Sequence, residues 1–455
     1  MQSAATDGTE ALRTTARRAP TTIAPCADRG LEEPTNADSM SSSAPPISLP
    51  HTRRADATVM GMVGIAHLIS HFSQLLLPPL FPWLKDAFHA SYAELGFLLT
   101  VFFIVSCSVQ ALSGFIVDRF GPRPILFGGI ALLAAAAFGL AASPSYPAML
   151  AFVVVAGIGN GVFHPVDYTL LNRKIHPSRL GHAFSVHGIT GSLGWALAPA
   201  MLVPIALAFS WRVALASAGV VVLVVLAVLI ANRSQLTLAL TSPAAPKATH
   251  SQGRAAASFG FFAIPAVWMC FGFFFLYAVV LGGIQAFAPE AARQLHAVPT
   301  RWAAMCLTFY MVAAACGMVV GGFAAADPSR CERIVAIGFT VAAAIALTIG
   351  FAPVAPSAVP VLFAAMGLAA GIAGPSRDLI VKRSSPENAT GRVYGVVYSG
   401  LDIGQAFAPL VFAPLLDLHR PADVWLGIAI VQALMITTAV NVRRARRTAL
   451  APAAA

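Results

Sequence analysis

From about residue 58 onward the chain alternates long apolar runs with short polar connections. Twelve runs stand out, at about 58–84, 92–117, 124–142, 147–172, 182–208, 211–231, 259–289, 300–322, 333–352, 358–381, 392–415 and 421–441. A helix needs about 20 mostly apolar residues to cross a hydrocarbon core roughly 30 Å thick. Each run comes close to that length or exceeds it, which predicts an all-α membrane protein with twelve transmembrane helices. The one long connection, 232–258, is rich in Ala, Ser, Pro, Lys and Arg and divides six helices from six. Residues 1–56 hold no apolar run and carry scattered charges of both signs, which predicts a disordered tail rather than a signal or transit segment. The expected organisation is a tail over 1–56, a six-helix bundle over 57–231, a linker over 232–258, a second bundle over 259–441 and a C-terminal tail over 442–455.

The two bundles are copies of one another. Gly157, Gly161, Pro165, Arg173, Gly181, Val186, Gly194, Ala196, Ala198 and Pro199 recur at one constant offset as Gly367, Gly371, Pro375, Arg383, Gly391, Val396, Gly404, Ala406, Ala408 and Pro409. The same offset pairs Pro79 with Pro289, Arg123 with Arg333 and Gly128 with Gly338. A parallel repeat of this kind, about an axis along the membrane normal, is one of the architectures of secondary transporters.

Composition agrees with a membrane chain: 57% of residues are hydrophobic and 11% charged, against about 25% charged in ordinary soluble domains. The net charge of +10 would suit a nucleic-acid partner if it formed a patch. It does not. Arg119, Arg123, Arg173, Lys174, Arg179, Arg233, Lys247, Arg254, Arg330, Arg333, Lys382, Arg383, Arg392 and the cluster Arg443, Arg444, Arg446, Arg447 fall in every second connection or at the C-terminus. The alternate connections hold only Lys85, Arg212, Arg293, Arg301 and Arg420. That asymmetry places both termini and the linker in the cytoplasm. The partner it predicts is the lipid bilayer of a bacterial inner membrane, and no nucleic acid; the multi-pass chain is expected to act as a monomer. The six cysteines show no metal-knuckle or disulfide spacing, so no disulfides are expected.

After the second helix comes Gly114-Phe-Ile-Val-Asp118-Arg119-Phe-Gly121-Pro-Arg123, which closely resembles the loop signature of the major facilitator superfamily. The second half keeps a worn copy in Gly322, Asp327, Arg330 and Arg333. The resemblance covers roughly 58–441 and implies the major facilitator fold, with these residues forming a cytoplasmic latch between halves. Within the superfamily the chain resembles the fosmidomycin resistance group, on His67-Leu68, Gln74 and Leu80-Phe81-Pro82 in the first helix and Gly157-x-Gly159-x-x-Val162-Phe163-His164-Pro165 in the fourth. Val153 stands where multidrug exporters carry a basic residue, and Gly194-x-x-x-Ala198-Pro199 is similar to the antiporter signature with Ala for its last Gly. The subgroup resemblance implies proton-coupled export and drug resistance.

Polar residues inside a membrane are costly and mark candidate pathways. His67 and His71 lie one turn apart on one face of the first helix, with Gln74 one turn further. Imidazole changes charge near neutral pH, so this face suits proton handling or anion binding, or simply hydrogen-bonds its neighbours. A metal is not expected here, because no carboxylate or Cys lies at ligand spacing in the sequence. His164, Pro165 and Asp167 form the sharpest local group. Pro165 lacks an N–H, which frees the carbonyl of Gly161 and kinks the helix; an open carbonyl at that depth requires protein or a wet cavity beside it. Pro199, Pro375 and Pro409 are further candidate kinks.

In the second half, Arg377 and Asp378 are adjacent and point apart. Arg377 can clamp a carboxylate or phosphonate, or neutralise Asp402 across the interface. Asp402 is the acid most clearly embedded in an apolar run. A carboxylate out of water gains by taking up a proton and a nearby Arg or His opposes this, so Asp402 is read either as a coupling residue or as half of a static ion pair. His187, Trp195, Tyr277, Gln285, Tyr310, Tyr394 and Tyr398 line the cavity or pack within it, and Glu290, Arg293 and Arg301 belong to the outer mouth.

These residues and the superfamily resemblance predict a secondary transporter working by alternating access without a cofactor, and not an enzyme; the subgroup resemblance implies a proton-coupled efflux antiporter of a small polar or anionic compound. Uptake of an organic acid or nutrient uses the same residue types. An intramembrane metal enzyme would want His-x-x-x-His with a water-activating acid, and no Glu occupies 68–70. No Walker signature marks an ATP-driven pump.

Overall fold

Thr52 opens the first helix earlier than the predicted residue 58: its Oγ1 accepts from the Ala55 N–H (3.1 Å) and its carbonyl from that of Asp56 (3.1 Å). The computed structural model describes residues 52–238, 265–325, 329–384 and 390–450, with side chains except at 266, 304, 378, 380–398 and 438–450. Residues 1–51 and 451–455 of the predicted tails, most of the linker, Asp327 and the side chains of Asp378, Tyr394 and Tyr398 lie outside the described residues; 53–56 and 442–450, expected as tail, are helical.

The helices are α1 (Arg53–Gln74), α2 (Phe81–Phe88), α3 (Tyr92–Phe120), α4 (Pro122–Ala142), α5 (Tyr146–Asn160), α6 (Phe163–Lys174), α7 (Leu180–Ala208), α8 (Trp211–Ala231), α9 (Pro265–Ala286), α10 (Ala288–His296), α11 (Thr300–Ala324), α12 (Cys331–Phe351), α13 (Val359–Ser384), α14 (Thr390–Asp417) and α15 (Pro421–Leu450). Among the described residues eleven spans are long and apolar enough to cross a membrane, and the apolar stretch Pro421–Thr437 of α15 supplies the twelfth.

Two predicted helices are interrupted. The first, expected unbroken over 58–84, stops at Gln74 and resumes at Phe81 through a 3-10 turn, Pro78–Leu80. Pro78 and Pro79 have no N–H to donate back along the helix. The fourth span divides into α5 and α6 at Gly161 and Val162, four residues ahead of Pro165. The freed Gly161 carbonyl accepts from Ser113 Oγ on α3 at 3.1 Å, so protein rather than water satisfies it. By contrast α7, α13 and α14 continue as helix through Pro199, Pro375 and Pro409.

The internal repeat appears in the packing. In the first half α1 packs on α7, α3 on α5 and α4 on α8; in the second, α9 packs on α14, α11 on α13 and α12 on α15. The repeated glycines make the same contacts. A Cβ on Gly157 or Gly161 would strike the α3 backbone at Phe102 or Ser106, and one on Gly367 or Gly371 would strike α11 at Tyr310 or Ala314. Small residues at such crossings let helix backbones approach closely, the main source of packing energy between membrane helices.

The halves meet along α3 and α14, and along α7 and α11. The α3–α14 seam is tight at one end. Asp417 accepts from the Tyr92 and Ala93 N–H groups, both at 2.8 Å, completing the N-terminus of α3 with a negative charge from the other half. Below it Thr100 Oγ1 donates to the Ala406 carbonyl (2.8 Å), and Gln110 Nε2 to Asp402 Oδ2 (2.9 Å). Beyond Gln110, Gly114, Asp118 and Arg119 are exposed. Arg119 lies over the ring of its neighbour Phe120, and Arg123 bonds Thr237 Oγ1 in the predicted linker (2.8 Å). The halves are therefore joined at the Asp417 end.

Candidate functional site

Three elements converge on Asp167. Its position on α6, just past the break at Gly161, turns the carboxyl toward α1 and α7, where it is 0% exposed. Asp167 Oδ2 lies 3.1 Å from His67 Nδ1 on α1 and 3.1 Å from His187 Nε2 on α7. An ionised carboxylate only accepts, so a shared oxygen calls for the proton on Nδ1 of His67 and on Nε2 of His187. The two rings stack with centroids 3.5 Å apart.

His71 and His164 complete the cage. The His71 ring lies 4.3 Å from that of His67 and stacks on Trp195 at 4.1 Å, and the His164 ring lies 5.4 Å from His67 and 6.2 Å from His187. Asp167 Oδ1 and His164 Nδ1 are buried and have no hydrogen-bond partner. Buried polar atoms are nearly always paired, which marks both as groups awaiting a proton or a ligand. Alongside runs a second network: Ser70 Oγ and Gln74 Nε2 donate to Asn160 Oδ1 (2.8 and 3.3 Å), Asn160 Nδ2 donates to Ser106 Oγ (2.9 Å), and Trp195 Nε1 donates to Gln74 Oε1 (3.0 Å).

Close packing of α7 on α1 creates this arrangement. A Cβ on Gly194 would strike the Leu68 carbonyl, and one on Gly191 would lie 2.7 Å from His71 Nδ1 and 3.1 Å from His67 Cδ2. Gly191→Ala is therefore expected to push His71 off Trp195 at a cost of about 1–3 kcal/mol, the usual range for overpacking. A thermal melt of the purified variant checks this; an unchanged midpoint would mean that the ring moves freely and the cage is loosely held.

The structure thus brings together five residues singled out in the sequence, His67, His71, His164, Asp167 and His187, with Gln74 at their edge. It adds Asn160, Ser70 and Ser106, which sequence reading missed. Asn160 was the visible signal, an amide inside an apolar run between Gly159 and Gly161.

In the second half Asp402 meets Gln110, where the sequence had left open a pairing with Arg377. The Arg377 guanidinium lies over Tyr277 at 4.4 Å and near Phe274 at 5.4 Å, within cation–π range. Gln405 Nε2 donates to Gln285 Oε1 at 3.0 Å. At the Asp417 end, Glu290 accepts from Tyr92 Oη (2.8 Å), from Arg293 through Nε and Nη2 (both 2.7 Å) and from Gln294 (2.8 Å). Burial pushes the Glu290 carboxyl up, but these hydrogen bonds outweigh it and hold the group below the usual carboxylate range. The pairing with Glu290 holds the Arg293 guanidinium above its ordinary value.

Residues 63–442 match the family model of the Major Facilitator Superfamily. The chain is similar to an MFS-type transporter, YfnC, of Bacillus subtilis (28% identity over 31% of this chain and 34% of the relative). It is similar to the fosmidomycin resistance protein of Escherichia coli (25% over 32% of this chain and 36% of the relative) and to a multidrug resistance protein B homolog of Mycobacterium tuberculosis (29% over 28% and 23%). The chain therefore spans only about a quarter to a third of the length of these curated relatives. Among solved structures it resembles a bacterial homologue of the human lysosomal transporter Spinster in an inward-facing, occupied conformation (TM-score 0.66, 15% identity, 87% of this chain and 98% of that one). It also resembles the nucleoside transporter NupG (TM-score 0.66, 14% identity, 84% and 99%).

Proposed function

The chain is a member of the Major Facilitator Superfamily, and from that premise we propose that it is a proton-driven antiporter exporting a small polar or anionic compound. The family consists of transporters, so the intramembrane enzyme reading falls away. The observation that carries the proposal is Asp167, a carboxylate buried in an apolar bundle and shared by His67 and His187 at 3.1 Å each. Such a group holds or releases a proton at the cost of rearranging its partners, and has no evident structural need to be ionisable. The names of the fosmidomycin and multidrug resistance relatives support export.

In this reading the halves rock about a central site, with 57–231 and 259–441 as the moving bodies and both termini in the cytoplasm of a monomer in the inner membrane. The Arg-rich end is the cytoplasmic one. Asp402 couples proton and movement. When ionised it accepts from Gln110 of the opposite half at 2.9 Å; protonation removes the charge, adds an O–H donor that needs a new partner and leaves only a weaker, neutral acceptor for Gln110. Arg377, placed against Tyr277, supplies the fork that recognises an anionic substrate.

Vesicles containing the purified protein, given a pH gradient and a panel of small anionic compounds including fosmidomycin, test the proposal. Opposite movement of proton and substrate is expected; movement in the same direction would make the protein a symporter. His164→Ala and Asp402→Asn are each expected to abolish proton-coupled transport while leaving membrane insertion intact. Full transport by both would remove these residues from the pathway.

A further inference from the structure

We propose that His67, His164 and His187, backed by Asp167, bind one divalent transition-metal ion of the zinc, cobalt or nickel class. One ring nitrogen from each histidine can be chosen so that all three lie within 4.8 Å of one another. A tetrahedral ion with bonds of about 2.1 Å places its nitrogens about 3.4 Å apart, so the rings must close by roughly 1.4 Å at most. His164 has room to do so, since it follows the helix break at Gly161 and Val162 and is only half-buried.

The donor set fits this class of ion. Imidazoles with one carboxylate suit zinc and its neighbours, while magnesium and calcium prefer oxygen shells. Asp167 is completely buried and its Oδ1 has no partner, and His164 Nδ1 is likewise buried and unpartnered. Asp167 Oδ2 meanwhile lies 3.1 Å from Nδ1 of His67 and 3.1 Å from Nε2 of His187, so a carboxylate stands beside two of the three candidate ligand rings. A carboxylate behind a ligating imidazole fixes its tautomer and orientation.

The sequence argued against a metal because no acid or Cys stands at ligand spacing from His67 and His71. That spacing rule looks along one helix, whereas these donors come from α1, α6 and α7. All of them belong to the first half, so rocking of one half against the other leaves the set intact. The ion is therefore resident rather than cargo, and it competes with protons for the same nitrogens. The inference stands on donor geometry and does not depend on the direction or substrate of transport.

The full-length protein in detergent, stripped with chelator, is titrated with Co2+ and then Zn2+. One Co2+ per chain is expected, with visible d–d absorption bands that Zn2+ abolishes. His67→Ala and His187→Ala should each weaken binding by about 100-fold, and Asp167→Asn by about 10–100-fold, the effect of removing an orienting group. His182→Ala, on the exposed face of α7, should bind as the parent does. Zn2+ should also raise the melting temperature of the parent and not of His164→Gln, which keeps the test valid if an alanine variant fails to fold. Absence of the Co2+ bands, or binding indifferent to His67 and His187, overturns the site. Zn2+ flux into dye-loaded liposomes overturns residence and makes the ion cargo. Transport of organic anions measured in metal-free buffer reports separately on the exporter reading.

Discussion

Asp167→Asn is expected to reduce proton-driven transport in proteoliposomes by about 100-fold or more, a loss equivalent to about 2.8 kcal/mol at 1.4 kcal/mol per decade. The substitution keeps size and shape but removes the one charge that His67 and His187 share. The amide can still accept from one imidazole and donate to another, so folding should survive at a cost of about 1–3 kcal/mol, the range for disturbing a buried polar partner. Two readouts separate role from scaffold. A melt shows whether the bundle is intact, and substrate exchange without a pH gradient shows whether the pathway still opens. Intact exchange with lost proton drive would identify Asp167 as a proton-handling group. Undiminished proton-driven transport would mean that the cage only braces α1, α6 and α7 together.

Asp417→Ala should act at the opposite end, on the balance of conformations. Asp417 receives two backbone N–H groups of α3 at 2.8 Å each, across the seam between halves. Loss of a helix N-terminal acceptor costs about 0.5–2 kcal/mol, and hydrogen bonds to a charged group are worth about 1.5–3 kcal/mol each. Ser91 still caps Glu94 N–H at 3.1 Å, and water can reach the freed groups once the seam parts. A net change of about 2 kcal/mol is a reasonable expectation, equivalent to roughly a 30-fold shift toward the state open at that end. Spin labels at Asp86 and His419, both exposed near the seam, should report a longer distance in the variant in a cysteine-depleted background. An unchanged distribution would place the closing energy on the Tyr92–Glu290–Arg293 group instead.

Much of the architecture could be read directly. Span positions and the break at Pro165 followed from residues close together in the chain, and the repeat from one constant offset between distant stretches. Helix ends were less legible. The first helix starts at Arg53 because of one hydroxyl on Thr52, and it stops at Gln74 because two prolines outweigh an apolar run that otherwise continues. Asp417 was invisible as a cross-half cap, since it sits just past the predicted end of its helix and its partners are backbone groups more than three hundred residues away.

What the sequence alone determined was which residues must leave water and which resist doing so, because transfer into a bilayer is charged residue by residue and needs no knowledge of neighbours. It also placed His67 and His71 on one face, since helical spacing is local. Only the tertiary structure decided that Asp167 faces His67 and His187, that Asp402 meets Gln110 rather than Arg377, and that three histidines from three helices approach a common point. Those pairings depend on how closely helices cross. That distance is set where Gly191, Gly194, Gly157 and Gly161 allow one backbone against another, and by the rotation each helix adopts there.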